Sequence, residues 1–383
     1  MNRRNFLKTA AGGAVLGYLP MQAQAAGGNF SNLLILVELK GANDGLNTVV
    51  PYADASYYTL RPRIAIKREE VLQLSERAGL NPGLAPLLPL WKGGQMAVVE
   101  GVGYPNANLS HFRSIEIWDT ASNANEYLHD GWLARAFLAN PVPRTFLADG
   151  VVVGSNDMGP MENAPKGVAL VNTDQFLRQS RLAEKGGFAS NPALNHILKV
   201  ENNIVEAAAG LHGKFEFKTQ FPNNAFGNQV KTAAQVAANK SGVAALRLSL
   251  GGFDTHQNQP GTHANLMKVL AEGLLALKSS LEEIGRWNST LVMTYSEFGR
   301  RPKENQSSGT DHGTAAPQFV FGGRVKGGLF GQAPQLARLD GNGNLPYAVD
   351  FRDLYATVLE RWWGVPSRDV LGGRFAGLDL LRA

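Results

Sequence analysis

Apolar and polar positions along this chain fall into a repeating rhythm of short buried runs, each closed by a polar, glycine-rich loop. Leu33-Leu34-Ile35-Leu36-Val37-Glu38-Leu39 is a near-continuous apolar run and predicts a central parallel strand. Met96 to Val102, Val243 to Leu250, Thr290 to Tyr295 and Pro317 to Phe321 predict four more strands. Between them the period shifts to that of helices. Leu266, Leu270, Leu274 and Leu277 share one face of a helix from His263 through Leu281. Shorter helices are expected near Pro82 to Leu90, up to Trp118, over Asp130 to Leu138 and over Gln229 to Ala238. Asp350 is placed to cap a last helix through Trp362. Strands alternating with helices predict an α/β fold, a three-layer α/β/α sandwich with a mostly parallel central sheet. From about 140 to 240 the rhythm fades into Asn-, Pro- and Gly-rich sequence with a helical piece at Ile204 to Gly210. An inserted cap is expected there.

The polar islands stand at the ends of the predicted strands, where open α/β sheets bind ligands. The first is Gly41-Ala42-Asn43-Asp44-Gly45-Leu46-Asn47. The second is Asn108-Leu109-Ser110-His111-Phe112-Arg113-Ser114, where Ser110 could be a helix cap, a reactive hydroxyl or both. Gly252-Phe253-Asp254-Thr255-His256 follows, with His263 seven residues on. Then come Ser296-Glu297-Phe298-Gly299-Arg300-Arg301 and Gly309-Thr310-Asp311-His312-Gly313. If these loops converge, imidazoles and carboxylates gather at one edge, a donor set suited to zinc, manganese or iron. Asp44, Asp254, His256, His263, Glu297, Asp311 and His312 are the candidate ligands. Ser110, His111, Arg113 and Arg300 are the candidate catalytic groups. His129, His196 and His212 have no such company and are read as structural or exposed.

Composition adds limits. The 383 residues are 44% hydrophobic, ample for a large core, and contain 43 glycines, which suits many tight loops. Residues 1–25 hold Arg3, Arg4 and Lys8 and no acid. The rest carries 34 basic against 32 acidic residues, a balance that gives no signature of nucleic-acid binding. The segment has paired arginines, an apolar stretch from Ala10 to Leu19, and Ala23-Gln24-Ala25 as a cleavage site. It reads as a signal peptide of the twin-arginine type, too short to span a bilayer that needs about 20 residues. A periplasmic or secreted protein, exported folded and without a membrane span in the mature chain, is expected. Its lack of cysteine leaves the core to stabilise it without disulfides.

Taken together, the N-terminal segment and the five islands resemble a bacterial exported family catalogued as domain of unknown function 1501, over about residues 32 to 381. That family is more distantly similar to the alkaline phosphatase and sulfatase superfamily. The resemblance implies an alkaline phosphatase-like sandwich with a bimetal site. Asp44 would match the carboxylate after the first strand, and Ser110 the nucleophile. Asp254, with His256 or His263, and His312 would hold one metal. Phe298 stands where the superfamily has the His of an Asp-His pair. One tight divalent ion and a weaker second ion on Asp44, Glu297 and Ser110 are therefore expected. The implied function is a metal-dependent hydrolase of phosphate or sulfate esters acting on a small-molecule or glycan ester, with Arg113 or Arg300 offsetting negative charge. The alternative is a non-catalytic surface binding or assembly protein with a degenerate metal site. No Gly-x-Ser-x-Gly elbow surrounds Ser110, which argues against a serine esterase.

Overall fold

The computed structural model describes residues 28–170 and 215–382, with Gly187, Asn191 and Leu198 between them. The twin-arginine segment, His196, His212 and the Ile204–Gly210 piece lie outside the described residues. Nine strands form the central sheet: β1 (Leu33–Lys40), β2 (Met96–Gly103), β3 (Ala148–Val153), β4 (Gly167–Leu170), β5 (Val243–Gly251), β6 (Thr290–Tyr295), β7 (Ala316–Phe321), β8 (Gly328–Gly331) and β9 (Val349–Asp350). Their order is β8-β2-β7-β6-β1-β5-β3-β4, with β9 also beside β2. All pairings are parallel except those of β7, which runs antiparallel to both β2 and β6. All five strands predicted from the apolar runs are present.

Alternation along β1 explains the layers. Leu33, Ile35, Val37 and Leu39 enter one core, with α3 (Ala225–Ala237) and α4 (Gln259–Glu283). Leu34 and Leu36 enter the other, with α1 (His111–Thr120), α2 (Trp132–Ala139) and α5 (Phe351–Ala356). Both faces of a parallel strand must be covered, and a continuous apolar run is what that requires. Asp350 caps α5 as expected, its side chain accepting from the Arg352 N–H.

An insertion is expected over about residues 140–240. β3, β4 and α3 fall within residues 140–240, yet β3 pairs with β5 and extends the main sheet. α3 matches the helix expected over Gln229 to Ala238, whereas β3 and β4 carry Ala148-Asp149-Gly150 and Gly167, which break the apolar runs that mark the other strands. Residues 171–214, apart from Gly187, Asn191 and Leu198, lie outside the described residues.

One feature of the sheet positions the site. Because β7 is reversed, its N-terminal end lies at the same edge as the C-terminal ends of β1, β2, β5 and β6. A hairpin of Arg300–Glu304 and Thr310–His312 therefore precedes β7 at that edge. No described helix is long and apolar enough to cross a membrane.

Candidate metal centre

Three imidazoles converge on one carboxylate oxygen. The Nε2 atoms of His111, His256 and His312 lie 3.5, 3.1 and 3.6 Å from Asp254 Oδ1. His256 and His312 face each other with Nε2 atoms 3.0 Å apart. His111, Asp254 and His312 offer ligand atoms that all lie within 4.8 Å of one another, a grouping that could hold one ion, and His256 stands beside it against Asp254 and His312.

Three parts of the chain deliver the four residues. His111 opens α1 after β2, and Asp254 and His256 follow β5. His312 ends the hairpin before β7. The loops approach closely enough to require glycine at two points. A Cβ on Gly41, which has φ +110°, would lie 2.5 Å from the Asp254 nitrogen. One on Gly309 would lie 2.2 Å from the His256 carbonyl carbon.

The outer nitrogens fix how the rings present themselves. His312 Nδ1 is 2.8 Å from the Leu109 carbonyl, which can only accept, so Nδ1 carries the proton and Nε2 a lone pair. His111 Nδ1 lies 2.7 Å from Glu297 Oε1, which also accepts from the Gly41 N–H, so here too Nδ1 donates. His111 Nε2 is buried without a hydrogen-bond partner. A ligating histidine is ordinarily oriented through its other nitrogen in this way. Asp311 Oδ1 stands 3.6 Å from His256 Nδ1, beyond a direct hydrogen bond. Burial lowers the His312 pKa, as do the charges of Arg300, His111 and His256, although the bond to Leu109 opposes them. Its ring therefore favours the neutral form a cation needs. Burial pushes the Asp254 carboxyl up, but the hydrogen bond and charge of Arg300, with His256 and His111, hold it below the usual range.

Arg300 is the joint of the site. Its Nη2 is 2.6 Å from Asp254 Oδ1, and the guanidinium also donates to the carbonyls of Gly41, Ala42, Phe253 and Thr310. The side chain is fully buried. Its donors are spent on the loops, so it holds them together instead of facing an incoming anion.

Other expected residues go elsewhere. Asp44 is not brought to the imidazoles: both oxygens are taken by Arg61, at 2.6 and 2.9 Å, and Gln259 donates to one of them. Both partners are fully buried. Burial raises the Asp44 pKa, but the charge and hydrogen bonds of Arg61 more than offset it and leave it lowered. His263 Nε2 donates to Asn43 Oδ1 at 2.9 Å, inside the core, and burial lowers its pKa to about 4. Glu297 is a support for His111, since its oxygens serve His111, Gly41 and Ser296. Arg113 braces the 123–127 loop, donating to the Ala124 carbonyl at 3.2 Å and lying over the Tyr127 ring at 3.8 Å. Phe298 packs its ring 4.9 Å from that of His111 and 4.8 Å from that of His312, backing the site without ligating. Ser110 occupies the N-cap position of α1, but its side chain makes no capping bond. It is exposed, between Leu109 and His111, both of which contact the centre.

The place of His111 beside Asp254 and His312 does not show in the sequence, where it stands among the candidate catalytic groups. The signal that could have found it is its place just past the end of β2, equivalent to that of Asp254 past β5.

Residues 93–372 match the family described as "Protein of unknown function (DUF1501)". None of the curated proteins matches the chain. Among solved structures, the chain is similar to a protein in the alkaline phosphatase superfamily from Vibrio parahaemolyticus, at 10% identity and TM-score 0.42, covering 90% of this chain and 68% of that one. It is similar to the lipoteichoic acid synthase from Listeria monocytogenes, at 11% identity and TM-score 0.41, covering 91% and 75%. A third is the alkaline phosphatase from the Antarctic bacterium TAB5, at 12% identity and TM-score 0.32, covering 76% and 91%.

Proposed function

Since the chain belongs to the DUF1501 family, whose function is unknown, the chemistry must come from the site, and we propose a metal-dependent hydrolase of phosphate or sulfate esters. The observation that carries this reading is the convergence of three imidazole Nε2 atoms on Asp254 Oδ1, two of them oriented through Nδ1 to present a lone pair. His111, His312 and Asp254 would hold one divalent ion, with His256 beside them, and zinc, manganese or iron is the best match to the donors. A bound ion would supply Lewis-acid polarisation of a phosphoryl or sulfuryl oxygen and lower the pKa of a coordinated hydroxyl.

Ser110 is the hydroxyl best placed to react. It is exposed, free of a capping bond, and flanked by two residues that contact the centre. The side chains of Asp254 and His256 are 49% and 44% exposed, so a substrate can reach the centre from solvent. A small-molecule or glycan ester is the substrate class we assign. We place the protein in the periplasm or outside the cell, exported by the twin-arginine route, on the strength of the N-terminal Arg3-Arg4 segment.

A second reading has an observation of its own. Asp44, the carboxylate expected to serve a second ion, is locked against Arg61 in the core. A one-ion centre on a sheet edge would also suit a surface binding protein. Hydrolysis of p-nitrophenyl phosphate and p-nitrophenyl sulfate by protein loaded with zinc, manganese or iron separates the two. The hydrolase reading expects turnover that Ser110→Ala and Asp254→Ala abolish while the fold stays intact. No turnover with any of the three metals would leave the binding reading standing.

A further inference from the structure

Glu100 is a carboxyl placed where nothing answers it. It is only 7% exposed and makes no hydrogen bond among the described residues. Burial pushes its pKa up, with only the more distant charge of Arg77 acting against this. Its oxygens are not among the atoms sealed from solvent without a partner, so they are open to whatever enters the space beside them.

Local backbone puts it there. Against β7, strand β2 carries one extra residue, since Ala316 pairs with Val102 and Gln318 with Val99. The bulge falls at Glu100-Gly101, with Gly101 at φ +70°. A bulge of this kind re-aims a side chain. Glu100 lines a cavity of about 200 Å³ whose walls include Leu46, Val49, Ala316, Pro317 and Leu345. Arg300 also lines it, but its guanidinium is engaged by Asp254 and by loop carbonyls. Glu100 is therefore the one carboxyl in the wall, and its acceptors are free.

We propose that this cavity is a binding site for a compact apolar molecule bearing a primary ammonium group, the ammonium donating to Glu100 and the apolar body lying against Leu46, Val49 and Leu345. The size agrees. A cavity of about 150 Å³ holds benzene, and this one leaves room for one or two further heavy atoms. The site is reached past Ala333 and Tyr347, both exposed, and shares no ligand with the metal centre.

Benzylamine is the probe. Titration calorimetry on the full chain at neutral pH should show benzylamine binding and benzoate failing to bind. Glu100→Gln should weaken benzylamine roughly tenfold or more, the loss of one charge-assisted hydrogen bond, while benzyl alcohol changes little. Ala333→Phe, at an exposed position that tolerates bulk, should weaken both ligands by narrowing the mouth. Chelation of the metal should leave all of these values unchanged, so the outcome is independent of the hydrolase reading. The proposal is overturned if benzylamine does not bind, if benzoate binds as well, or if Glu100→Gln leaves benzylamine affinity unchanged. Should Glu100→Gln not fold, unchanged benzylamine affinity in Ala333→Phe overturns it instead.

Discussion

The Nε2 atoms of His256 and His312 stand 3.0 Å apart, each within 3.6 Å of the same oxygen of Asp254. His312 is held by Leu109 in the form that points a lone pair inward, so the two rings suit one cation between them. We expect one tightly held transition-metal ion per chain, counted by elemental analysis after dialysis. His312→Ala and His111→Ala should each lose it. Glu297→Gln, which replaces the carboxylate bound to His111, Gly41 and Ser296 by a neutral amide, should weaken affinity by about 10- to 100-fold. Two equally tight ions, or an unchanged ion in His111→Ala, would contradict this arrangement.

Asp44 and Arg61 form a fully buried pair. Removing one member leaves an uncompensated charge, so Arg61→Ala should cost about 3–5 kcal/mol in urea unfolding. Exchanging both for apolar residues of similar volume, Asp44→Leu with Arg61→Met, should recover most of that loss. A double variant as unstable as Arg61→Ala would show that the pair's other hydrogen bonds, to Asn47, Pro302 and Arg301, dominate.

His263 gives a pH signature. Burial depresses its pKa to about 4, below the ordinary histidine value of about 6.5, so the unfolded chain binds this proton first. Stability from this residue is complete above about pH 6.5 and falls as pH drops toward 4, by about 3 kcal/mol in all. Below pH 4 both states are protonated and the slope vanishes. Unfolding free energies measured from pH 7 to 4 should show this slope in the wild type and lose it in His263→Gln. An equal slope in the two proteins would assign the effect to other groups.

Export can be checked separately. Arg3→Lys with Arg4→Lys should retain a folded reporter in the cytoplasm, since the paired arginines are the feature on which the route rests. Normal export of that double variant would place the protein on another route.

Long apolar runs made the centre of the fold legible. Leu33–Lys40 and Thr290–Tyr295 are buried on both faces, and their sequences show little else than that. β3 and β4 were hidden because glycine and a buried Asp149 interrupt them. The site was legible as a set of loops but not as a set of roles. Asp254, His256 and His312 meet as expected. Nothing local to Asp44 announces that Arg61, 17 residues away, will claim it. Likewise, Glu297 serves His111 across 186 residues, a pairing that only the sheet order creates.

Arg300 ties the carbonyls of Gly41, Ala42, Phe253 and Thr310 to one planar group. Loops that leave β1 and β5 and the hairpin before β7 are thereby joined mechanically, just beyond the point where the β1–β5 ladder ends at Lys40 and Gly251. Local opening of any one loop must release the guanidinium and so loosen the rest. Backbone amides in residues 41–43, 253–255 and 310–313 should thus exchange with solvent deuterium as a single cooperative unit with a common opening free energy. The edge of the sheet that gathers the imidazoles then behaves as one body before any ion arrives.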